Sequence, residues 1–539
     1  MLEKIDTHMN TLNSLIDAHA HKQPDAPALI YDEQVITYLK FNQRSRTVAA
    51  SLAKLGIGEG DRVAIWLPNI PAWLEVFFAC AQLGAIAVAV NTRFRSSEVS
   101  DLLKLSGSKL LVFWPDFKGI NFTNILSKID ISFLTTLKTV VAYSEGYESA
   151  PTKIDQRPIV PYNFLLRSQN PLAVHAAADT GCIIFTTSGT TKLPKLVLHK
   201  QSGVVQHARD VAIRFGYDQP KAMILQAVPF CGVYGFSQAV AAFAGGAGMI
   251  CVPAFDVDDI LKLIDKHRIT QTNGSDEMFA RLLEARPELN PFPTMNFCGY
   301  ANFTPSLGNV VDRADQQGLK LVGLYGSSEL LALFAMQRPD DTVDARARMG
   351  GFPVSDLTKV RVRDPENGRL LKAGQIGELE FKCPSLMHQY FNNTEATTAA
   401  VTGDAFFRSG DLGRICTDGS FEFLSRMGDV LRLGGFLVNP QEIETYIRQH
   451  PDVDGCQIIG VDGPRGTRPV GFVMMQKAAT TSETDLLNHC RAGMANFKVP
   501  ARIFLIDKFP TTTGPSGTKI QRTKLREMAI EKLGAVNNT

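Results

Sequence analysis

Short apolar runs alternate with helical patterns along most of the chain, and this alternation constrains the fold more than any other feature. Arg62–Leu67 predicts a strand, Ala72–Leu83 a helix and Ala85–Val90 a second strand. Later, Asp256 stands where its side chain can cap the helix that follows it. Because βα alternation buries helices against parallel strands, the sequence predicts parallel sheets with helices packed on them.

The pattern changes near residue 350. Lys359–Val362 and Ile376–Phe381 predict strands of a smaller β-rich unit, and Ser409–Ser425 is predicted to be rich in turns. We place a domain boundary between Met427 and Gly428. The predicted fold is therefore multidomain α/β: residues 1–427 form a large N-terminal domain of βα sheets with a β-rich subdomain, and residues 428–539 form a small α+β C-terminal domain. In that domain Asn439 and Pro440 favour a helix start, with Glu442 placed for a capping box.

Composition excludes several classes of protein. The 539 residues include 56 basic and 54 acidic ones, a net charge of +2 that leaves no electrostatic footprint for nucleic acid. Nine scattered cysteines without a CxxC pair indicate a reducing, cytoplasmic compartment and neither a disulfide frame nor a zinc site. Residues 1–18 lack the apolar core of a signal peptide. Residues 222–255 carry no charge, but their glycines and a proline favour strand, loop, helix and strand over a membrane span.

One loop offers the chemistry of a phosphate site. After the apolar run Cys182–Phe185 comes Thr186–Lys195, in which six of ten residues are Thr, Ser or Gly and a Pro-Lys pair closes the segment. Backbone N–H groups, hydroxyls and a cation in a small volume suit a polyphosphate. The segment is not a GxxxxGK[ST] loop, and taken alone it also fits a Ser/Thr-rich surface turn.

Four more motifs follow this loop in order. They are Pro229–Gly235, Tyr325–Glu329, Ser409–Asp411 with Arg426 and the pair Gly434-Gly435, and Gly517–Ile520 with Arg522 close behind. With them, nearly the whole chain resembles the adenylate-forming enzymes, a family that includes acyl-CoA synthetases, luciferases and stand-alone adenylation domains. Taken singly, Lys519 fits a solvated basic tail, Glu329 a helix start, Asp411 a turn, and Phe230 and Tyr234 the core. The ordered set favours the functional interpretation.

The resemblance implies a catalytic role for three residues. Adenylation brings a carboxylate to the α-phosphorus of ATP, so the site has to supply positive charge where two anions meet. Lys519 would bridge the carboxylate and the α-phosphate. Glu329 would hold Mg²⁺ against the phosphates, since this ion prefers oxygen ligands, and Ser328 would offer its hydroxyl to the same phosphate.

The resemblance also implies the binding residues. For ATP they are Thr187, Ser188, Gly189, Thr190, Thr191 and Lys195 around the pyrophosphate, Gly299, Tyr300 and Ala301 near adenine, Tyr325, Gly326 and Ser327 beside them with Tyr325 facing adenine, and Asp411 and Arg426 at the ribose. For the acyl pocket they are Phe230, Cys231, Gly232 and Tyr234. For coenzyme A they are Gly434, Gly435 and Lys498, carried on a mobile C-terminal domain that turns about a hinge at Gly428.

Some positions depart from the family pattern. Lys192 and Leu196 stand where glycine is usual in the phosphate loop, and Lys192 either adds charge or only replaces a turn residue. Gly428 leaves the hinge free to rotate but without a side chain to latch it. Gly299–Asn302 differs from the commoner Gly-Gly-Ala-Pro, and Gly232 replaces a larger residue at the acyl pocket.

Together these features predict an AMP-forming acyl-CoA synthetase that uses ATP, Mg²⁺ and coenzyme A. The expected partner is a small monocarboxylic acid of medium-chain fatty, alicyclic or aromatic type, because the acyl segment is apolar and offers no obvious cation for a second carboxylate. A homodimer is left open. Two alternatives remain: an enzyme that passes acyl-AMP to a carrier protein or other acceptor, or oxidises it, and a catalytically silent binding relative.

Overall fold

The computed structural model of the protein describes residues 10–117, 119–130, 132, 134–145, 153–154, 157–168, 176–187, 194–303, 310–429, 431–433, 436–463, 466–477, 479–514 and 517–537. The chain divides into two compact units. The first comprises Met1–Ala301, Val311–Lys359 and Lys382–Phe407, and the second comprises Asn302–Val310, Val360–Phe381 and Arg408–Thr539. The predicted α/β class is confirmed, and the boundary at 427/428 stays a prediction.

Helices and strands alternate as the sequence predicts. The helices are α1 Leu12–Lys22, α2 Tyr38–Lys54, α3 Pro71–Leu83, α4 Ser96–Ser106, α5 Phe122–Ser127, α6 Tyr162–Leu165, α7 Gln201–Arg214, α8 Val233–Gly245, α9 Val257–His267, α10 Asp276–Ala285, α11 Val310–Gln316, α12 Val343–Arg346, α13 Thr394–Ala400, α14 Pro440–Arg448, α15 Glu483–Gly493 and α16 Arg522–Asn537.

The strands in the first part of the chain are β1 Pro27–Tyr31, β2 Gln34–Thr37, β3 Arg62–Trp66, β4 Ile86–Ala89, β5 Leu110–Phe113, β6 Asp116–Phe117, β7 Ile120–Asn121, β8 Thr139–Ala142, β9 Lys153–Ile154, β10 Arg157–Pro161, β11 Gly181–Thr186, β12 Leu196–Lys200, β13 Met223–Gln226, β14 Gly248–Cys251, β15 Asn273–Ser275, β16 Cys298–Ala301, β17 Leu321–Ser327, β18 Leu331–Met336 and β19 Gly350–Pro353. They are followed by β20 Lys359–Arg363, β21 Gly377–Lys382, β22 Gln389–Tyr390, β23 Phe407–Ile415, β24 Phe421–Arg426, β25 Leu431–Leu433, β26 Phe436–Val438, β27 Val453–Gly463, β28 Gly466–Met475, β29 Arg502–Leu505, β30 Thr511–Gly514 and β31 Gly517–Ile520.

Parallel pairing organises the first unit. One sheet has the order β13-β14-β1-β2, and a larger one has the order β22-β12-β11-β4-β3-β5-β8-β10-β9. In the larger sheet every neighbouring pair from β11 to β10 is parallel, whereas β12 and β22 join antiparallel at one edge. A third run, β15-β16-β17, is also parallel and continues antiparallel into β18 and β19. The predicted parallel sheets are therefore confirmed.

The core of the first unit explains its continuous apolar runs. β4 is buried at every position, as expected for a parallel strand covered on both faces. The helix α3 is buried along almost its whole length, and its Trp73, Phe77 and Phe78 pack against rings of neighbouring helices. Gly84, with φ +69°, ends this helix in the left-handed conformation. Such packing fixes the strand ends from which the loops described below emerge.

The uncharged stretch 222–255 forms the strand, loop, helix and strand expected of it. β13, α8 and β14 lie in the described chain in that order. Asp256 caps α9, because its carboxylate accepts a hydrogen bond from the N–H of Asp259 at 3.1 Å. Within the part of the chain that the structure describes, no helix combines the length and apolarity needed to cross a membrane.

The second unit corrects one prediction. Ser409–Ser425, predicted to be rich in turns, is mostly a hairpin in which β23 and β24 pair antiparallel with Asp411 opposite Arg426. Gly410 does adopt a positive φ of +66°, but it does so inside β23. Its N–H donates to Glu378 Oε1 at 3.2 Å, so a side chain satisfies the backbone at this irregular point.

A separate core holds the last part of the second unit. β27, β28 and β29 form a sheet on which α14, α15 and α16 lie. Asn439 caps α14, as predicted, by accepting a hydrogen bond from the N–H of Gln441 at 3.0 Å. Glu442, placed by the sequence for a capping box, instead forms an ion pair with Lys498 at 2.5 Å. β30 and β31 pair as a hairpin with Thr512 opposite Lys519.

Candidate active site

The predicted phosphate loop joins two paired strands. β11 and β12 run antiparallel with Thr186 opposite Leu196, and the N–H of Thr187 donates to the carbonyl of Lys195 at 3.0 Å. These bonds close the base of the loop. The predicted residues Ser188, Gly189, Thr190 and Thr191 lie outside the described residues, so their part in phosphate binding stays a prediction.

The motif from Tyr325 to Glu329 spans the end of β17 and the turn into β18. Strand pairing shifts its register between Tyr325 and Ser327, which is a β-bulge. Gly326 is needed there, because a Cβ at this position would lie 2.7 Å from Cα of Ala332. The hydroxyl of Ser327 accepts a hydrogen bond from the N–H of Leu330 at 3.3 Å. A tight turn therefore presents Ser328 and Glu329.

Tyr390 brings the phosphate loop and this turn together. Its hydroxyl donates to Oε1 of Glu329 at 2.8 Å, and Nζ of Lys195 lies 4.7 Å from the centroid of its ring. Tyr390 lies on β22, which pairs with β12 directly after the loop. A cation and a carboxylate from separate motifs thus share one aromatic residue. Tyr390 was not predicted, because nothing in the sequence around it indicates a partner 61 residues away.

Two buried histidines contact the same turn. Nε2 of His199 on β12 lies 2.7 Å from the carbonyl oxygen of Ser328, and Nε2 of His207 on α7 lies 2.7 Å from that of Ala332. Burial lowers the pKa of each imidazole to about 4, and the backbone hydrogen bond opposes this shift only in part. Both rings are therefore neutral near pH 7. We assign the proton to Nε2, because a carbonyl oxygen can only accept.

The predicted adenine segment lies beside this turn. Gly299, Tyr300 and Ala301 end β16, which pairs in parallel with β17. The N–H of Gly299 donates to Oδ1 of Asn273 at 2.8 Å, and a Cβ on Gly299 would lie 2.5 Å from that oxygen. Tyr300 is buried, and its hydroxyl donates to the carbonyl of Ala347 at 2.9 Å. Parallel pairing therefore places the ends of two predicted ATP-binding segments at one sheet edge.

The predicted acyl segment is buried and anchored. The ring of Phe230 packs 5.5 Å from that of Trp73, and the hydroxyl of Tyr234 lies 3.1 Å from the carbonyl of Gly274 and 3.3 Å from that of Gly299. Cys231 is buried, and Gly232 is the N-terminal cap of α8. Tyr234 thereby links this segment directly to the predicted adenine strand. Which of these side chains touches the acid stays a prediction.

A buried amide network supports both segments. Its members, all fully or almost fully buried, are Asn69, Tyr217, Gln226, Gln238 and Asn273. Gln238 donates to Oε1 of Gln226 at 2.9 Å and accepts from Nδ2 of Asn273 at 3.0 Å. Because buried amides are costly unless bonded, such a network holds strand ends in one arrangement. Two members, Gln226 and Gln238, lie in the uncharged stretch 222–255, whereas the other three lie outside it.

In the second unit the predicted ribose residues contact each other. Asp411 is buried and forms an ion pair with Nε of Arg426 at 3.0 Å, while the Arg426 side chain remains half exposed. The N–H of Asp411 also donates to Oγ of Ser409 at 3.0 Å. The hairpin thus presents a carboxylate and a guanidinium in fixed register. Their contact with ribose stays a prediction.

The remaining predicted residues also lie in the second unit. Gly428 is exposed in a 3₁₀ turn, Met427–Asp429, that directly follows β24. Lys519 lies on β31, but its side chain is outside the described residues, as are Gly434 and Gly435. Lys498, predicted to contact coenzyme A, binds Glu442. These assignments stay predictions.

The two buried histidines predict a loss of stability in acid. An imidazole has an ordinary pKa of about 6.5, so the unfolded chain takes up protons that the folded chain excludes until about pH 4. Stability therefore falls as pH drops from about 6.5 to about 4, by up to ~3 kcal/mol for each histidine. We expect the double variant His199→Gln/His207→Gln to show a shallower pH dependence of the urea midpoint. Parallel curves for both proteins would contradict this.

Comparison with known proteins decides the family. The profile of the AMP-binding enzyme family matches residues 16–391, and that of the AMP-binding enzyme C-terminal domain matches residues 442–514. The chain belongs to the AMP-binding enzyme family. This confirms the resemblance drawn from the five motifs: the protein is an adenylate-forming enzyme of acyl-CoA synthetase type.

Relatives of this AMP-binding enzyme extend over its whole length. The Bacillus subtilis protein named "Putative acyl-CoA synthetase YngI" is 29% identical over 97% of both chains. The mitochondrial medium-chain acyl-CoA ligase ACSF2 of Rattus norvegicus is 26% identical over 98% of this chain and 89% of its own. Among solved structures, ATP-bound MatB from Rhodopseudomonas palustris superposes with a TM-score of 0.81 at 24% identity, covering 96% of this chain and 99% of that one. The last likeness shows the fold.

Proposed function

We propose that this AMP-binding enzyme joins a monocarboxylic acid to coenzyme A in two steps that consume ATP. The observation that supports it most is the arrangement of Lys195 and Glu329 around Tyr390, because it puts a phosphate-loop cation beside a carboxylate able to hold a metal. Adenylation requires both within reach of one triphosphate. Relatives named as acyl-CoA synthetase and acyl-CoA ligase support the same reaction.

In the first step the carboxylate of the acid attacks the α-phosphorus of ATP. A bond forms between a carboxylate oxygen and phosphorus, the bond to the bridging oxygen of pyrophosphate breaks, and pyrophosphate leaves with the electron pair. Lys519 neutralises the charge where the two anions meet, and the phosphate loop with Lys195 holds the leaving pyrophosphate. In the second step the thiol of coenzyme A loses its proton and attacks the acyl carbon, and AMP leaves.

The residues present fit a magnesium ion. Among the described residues no cluster of three His, Cys, Asp or Glu side chains could hold a metal by itself. A single carboxylate such as Glu329 is nevertheless what Mg²⁺ uses when substrate phosphates and waters complete its shell. The ion would neutralise phosphate charge in the first step. Tyr390, which binds one oxygen of Glu329, orients the carboxylate for it.

The acid is proposed to be a medium-chain fatty, alicyclic or aromatic monocarboxylic acid. The supporting observation is the apolar character of the buried segment around Phe230 and of α8. Medium-chain acyl-CoA ligase and 2-succinylbenzoate–CoA ligase are among the relatives, at 26% and 24% identity; the first is named for a medium-chain acid and the second for an aromatic acid with two carboxylates. Medium-chain fatty acids are therefore the first class to test.

Pyrophosphate release with Mg²⁺ and ATP tests this function. A panel of fatty, alicyclic and aromatic acids is assayed with and without coenzyme A, and the thioester is identified by mass. Turnover that needs coenzyme A and one class of acid supports the proposal. Acyl-AMP that accumulates with coenzyme A present and reacts only with a carrier protein would favour another acceptor, and no release with any acid would favour a silent binding relative.

Two further properties stay predictions. Light scattering of the purified chain decides between the monomer and the homodimer that the sequence leaves open. Fractionation of the producing cells checks the predicted cytoplasmic location.

Replacing Gly428 by proline is expected to impair the second step more than the first. Proline fixes φ and removes the N–H, so a hinge at this position would lose rotation. We expect thioester formation from supplied acyl-AMP to fall by about tenfold or more while acyl-AMP formation changes by less than about threefold. Gly428→Ala is the matched control, because a Cβ there meets no atom within 4 Å. Equal loss in both steps would contradict a hinge.

A further inference from the structure

The backbone just after Glu329 follows an unusual path. Leu331 has a φ of +67° and Leu333 a φ of +61°, in the left-handed region that residues with a Cβ rarely adopt. Both leucines are buried on β18. Residues persist in such conformations only where the surrounding structure over-determines them. The turn that presents Ser328 and Glu329 therefore depends on anchors outside itself.

Four hydrogen bonds anchor this turn. On one side the N–H of Met387 donates to the carbonyl of Glu329 at 2.7 Å, and Tyr390 donates to its carboxylate. On the other side His199 holds the carbonyl of Ser328 and His207 holds that of Ala332, both at 2.7 Å. The two histidines thus bracket Glu329 at the residue before it and three residues after it.

Packing on the His207 side of the turn is incomplete. A narrow void lies there, lined by Val204, His207, Ala208, Phe236, Ser237, Val240 and Leu331. Among the described residues, Nδ1 of His207 and Oγ of Ser237 have no hydrogen-bond partner although both atoms are buried. Where neighbouring atoms are missing, dispersion contacts are lost. The bond from His207 to Ala332 therefore adds a specific restraint one residue after Leu331, beside the pairing of Leu331 with Ser327.

The location of the histidines connects the anchors to the phosphate loop. His199 lies on β12, the strand that leaves the loop and pairs with β22, which carries Tyr390. His207 lies in α7, the helix that directly follows β12. If the two imidazole rings only filled the core, hydrogen bonds to their own strand or helix would be sufficient. Instead both cross to a segment 129 and 125 residues away in sequence.

We propose that His199 and His207 are positioning residues for adenylation. Their Nε2–H groups hold the backbone from Ser328 to Ala332 so that the Ser328 hydroxyl and the Glu329 carboxylate meet the phosphates and the Mg²⁺ of bound ATP. This inference rests on the proposed function and adds two residues to it. Neither histidine touches the reacting atoms, so both act through the turn.

Paired substitutions separate positioning from general stability. His199→Met and His207→Met remove the donor at similar size, whereas His199→Gln and His207→Gln keep an amide N–H near the position of Nε2. His19→Met is the matched control, because Nε2 of His19 also lies within hydrogen-bonding distance of a backbone carbonyl, that of Ala244 at 3.2 Å, elsewhere in the same unit. Thermal unfolding of each variant without ligand measures the structural loss alone.

The decisive readout is the Mg²⁺ concentration that half-saturates binding of a nonhydrolysable ATP analogue, measured by calorimetry. We expect each Met variant to raise it about tenfold and to lower the rate of adenylation, with the KM for the acid and thioester formation from supplied acyl-AMP unchanged. The Gln variants should recover most of the loss. His19→Met should change only the unfolding temperature.

Other outcomes would overturn the proposal. Met variants that lose stability but keep the Mg²⁺ dependence of the wild type would show that the histidines serve the core alone. If the Met variants do not fold, the Gln variants are compared with Asn variants, whose shorter amide cannot reach the carbonyl. Equal Mg²⁺ dependence in the Gln and Asn variants would also refute the proposal. If the wild type itself does not bind the analogue with Mg²⁺, the proposed function fails, and the inference that rests on it falls too.

Discussion

Replacing Lys519 by alanine is expected to abolish acyl-AMP formation and to spare thioester formation from supplied acyl-AMP. In the first step a carboxylate approaches a phosphate, and no attack is possible until a cation offsets their repulsion. Removing such a preorganised charge lowers rates by about 100-fold to 1,000-fold. In the second step a thiol attacks a mixed anhydride, and the same charge is not needed. The two half-reactions therefore report separately on this residue.

The contacts of Arg522 favour Lys519 over this arginine as the cation that acts in the first step. Arg522 forms an ion pair with Glu444 at 2.6 Å, and Glu444 also accepts from the N–H of Ile458. Glu444 is fully buried, so the guanidinium of Arg522 is committed to compensating its charge. Lys519 lies three residues before α16 begins, on β31 opposite Thr512.

The assay measures pyrophosphate release for the first step and coenzyme A consumption for the second. Lys524→Ala is the matched control, because Lys524 is an exposed lysine on the adjoining α16. Arg522→Ala would be a poor control, since it leaves Glu444 buried without a counter-charge and costs about 3–5 kcal/mol. Normal adenylation by Lys519→Ala would show that another group supplies the charge. Equal loss in Lys524→Ala would point to a general effect of the basic tail.

Sequence patterns predicted most elements whose cause is local. Apolar runs gave β3, β4 and β11, the pattern of α3 was correct to within one residue, and Asp256 and Asn439 cap the helices predicted for them. Each of these depends on residues within a few positions of each other. The motif Tyr325–Glu329 was recognised by its resemblance to the family pattern, and the structure shows that a glycine is required where β17 approaches β18.

Features that depend on distant partners could not be predicted. The bond from Tyr390 to Glu329 joins residues 61 positions apart, and that from His199 to Ser328 spans 129. A histidine inside an apolar strand is the only local trace of such a contact. The error at Ser409–Ser425 has the same origin, because glycine and aspartate usually mark turns, whereas Glu378 here satisfies the irregular backbone within a strand.

Replacing Glu329 by glutamine is expected to lower adenylation by about 100-fold while leaving the fold intact. The amide oxygen of glutamine still accepts the hydrogen bond from Tyr390, which is 2.8 Å long in the structure. The substitution therefore removes the charge that a magnesium ion needs and keeps the shape of the turn. Because the loss is one of cation affinity, part of the rate should return as Mg²⁺ is raised.

Tyr390→Phe separates the two functions that meet at this residue. The ring that lies under Lys195 remains, and only the hydroxyl bonded to Glu329 is lost. The carboxylate keeps its charge but loses its orientation, so we expect a fall in adenylation of about tenfold and a rise in the half-saturating Mg²⁺ concentration, both smaller than those of Glu329→Gln. Rates are measured as pyrophosphate release across a Mg²⁺ series for both variants.

If Glu329→Gln adenylates like the wild type at low Mg²⁺, Glu329 is not the metal ligand. If Tyr390→Phe is the more damaging change, the Tyr390 hydroxyl does more than orient the carboxylate of Glu329, and the role proposed here for Tyr390 is wrong.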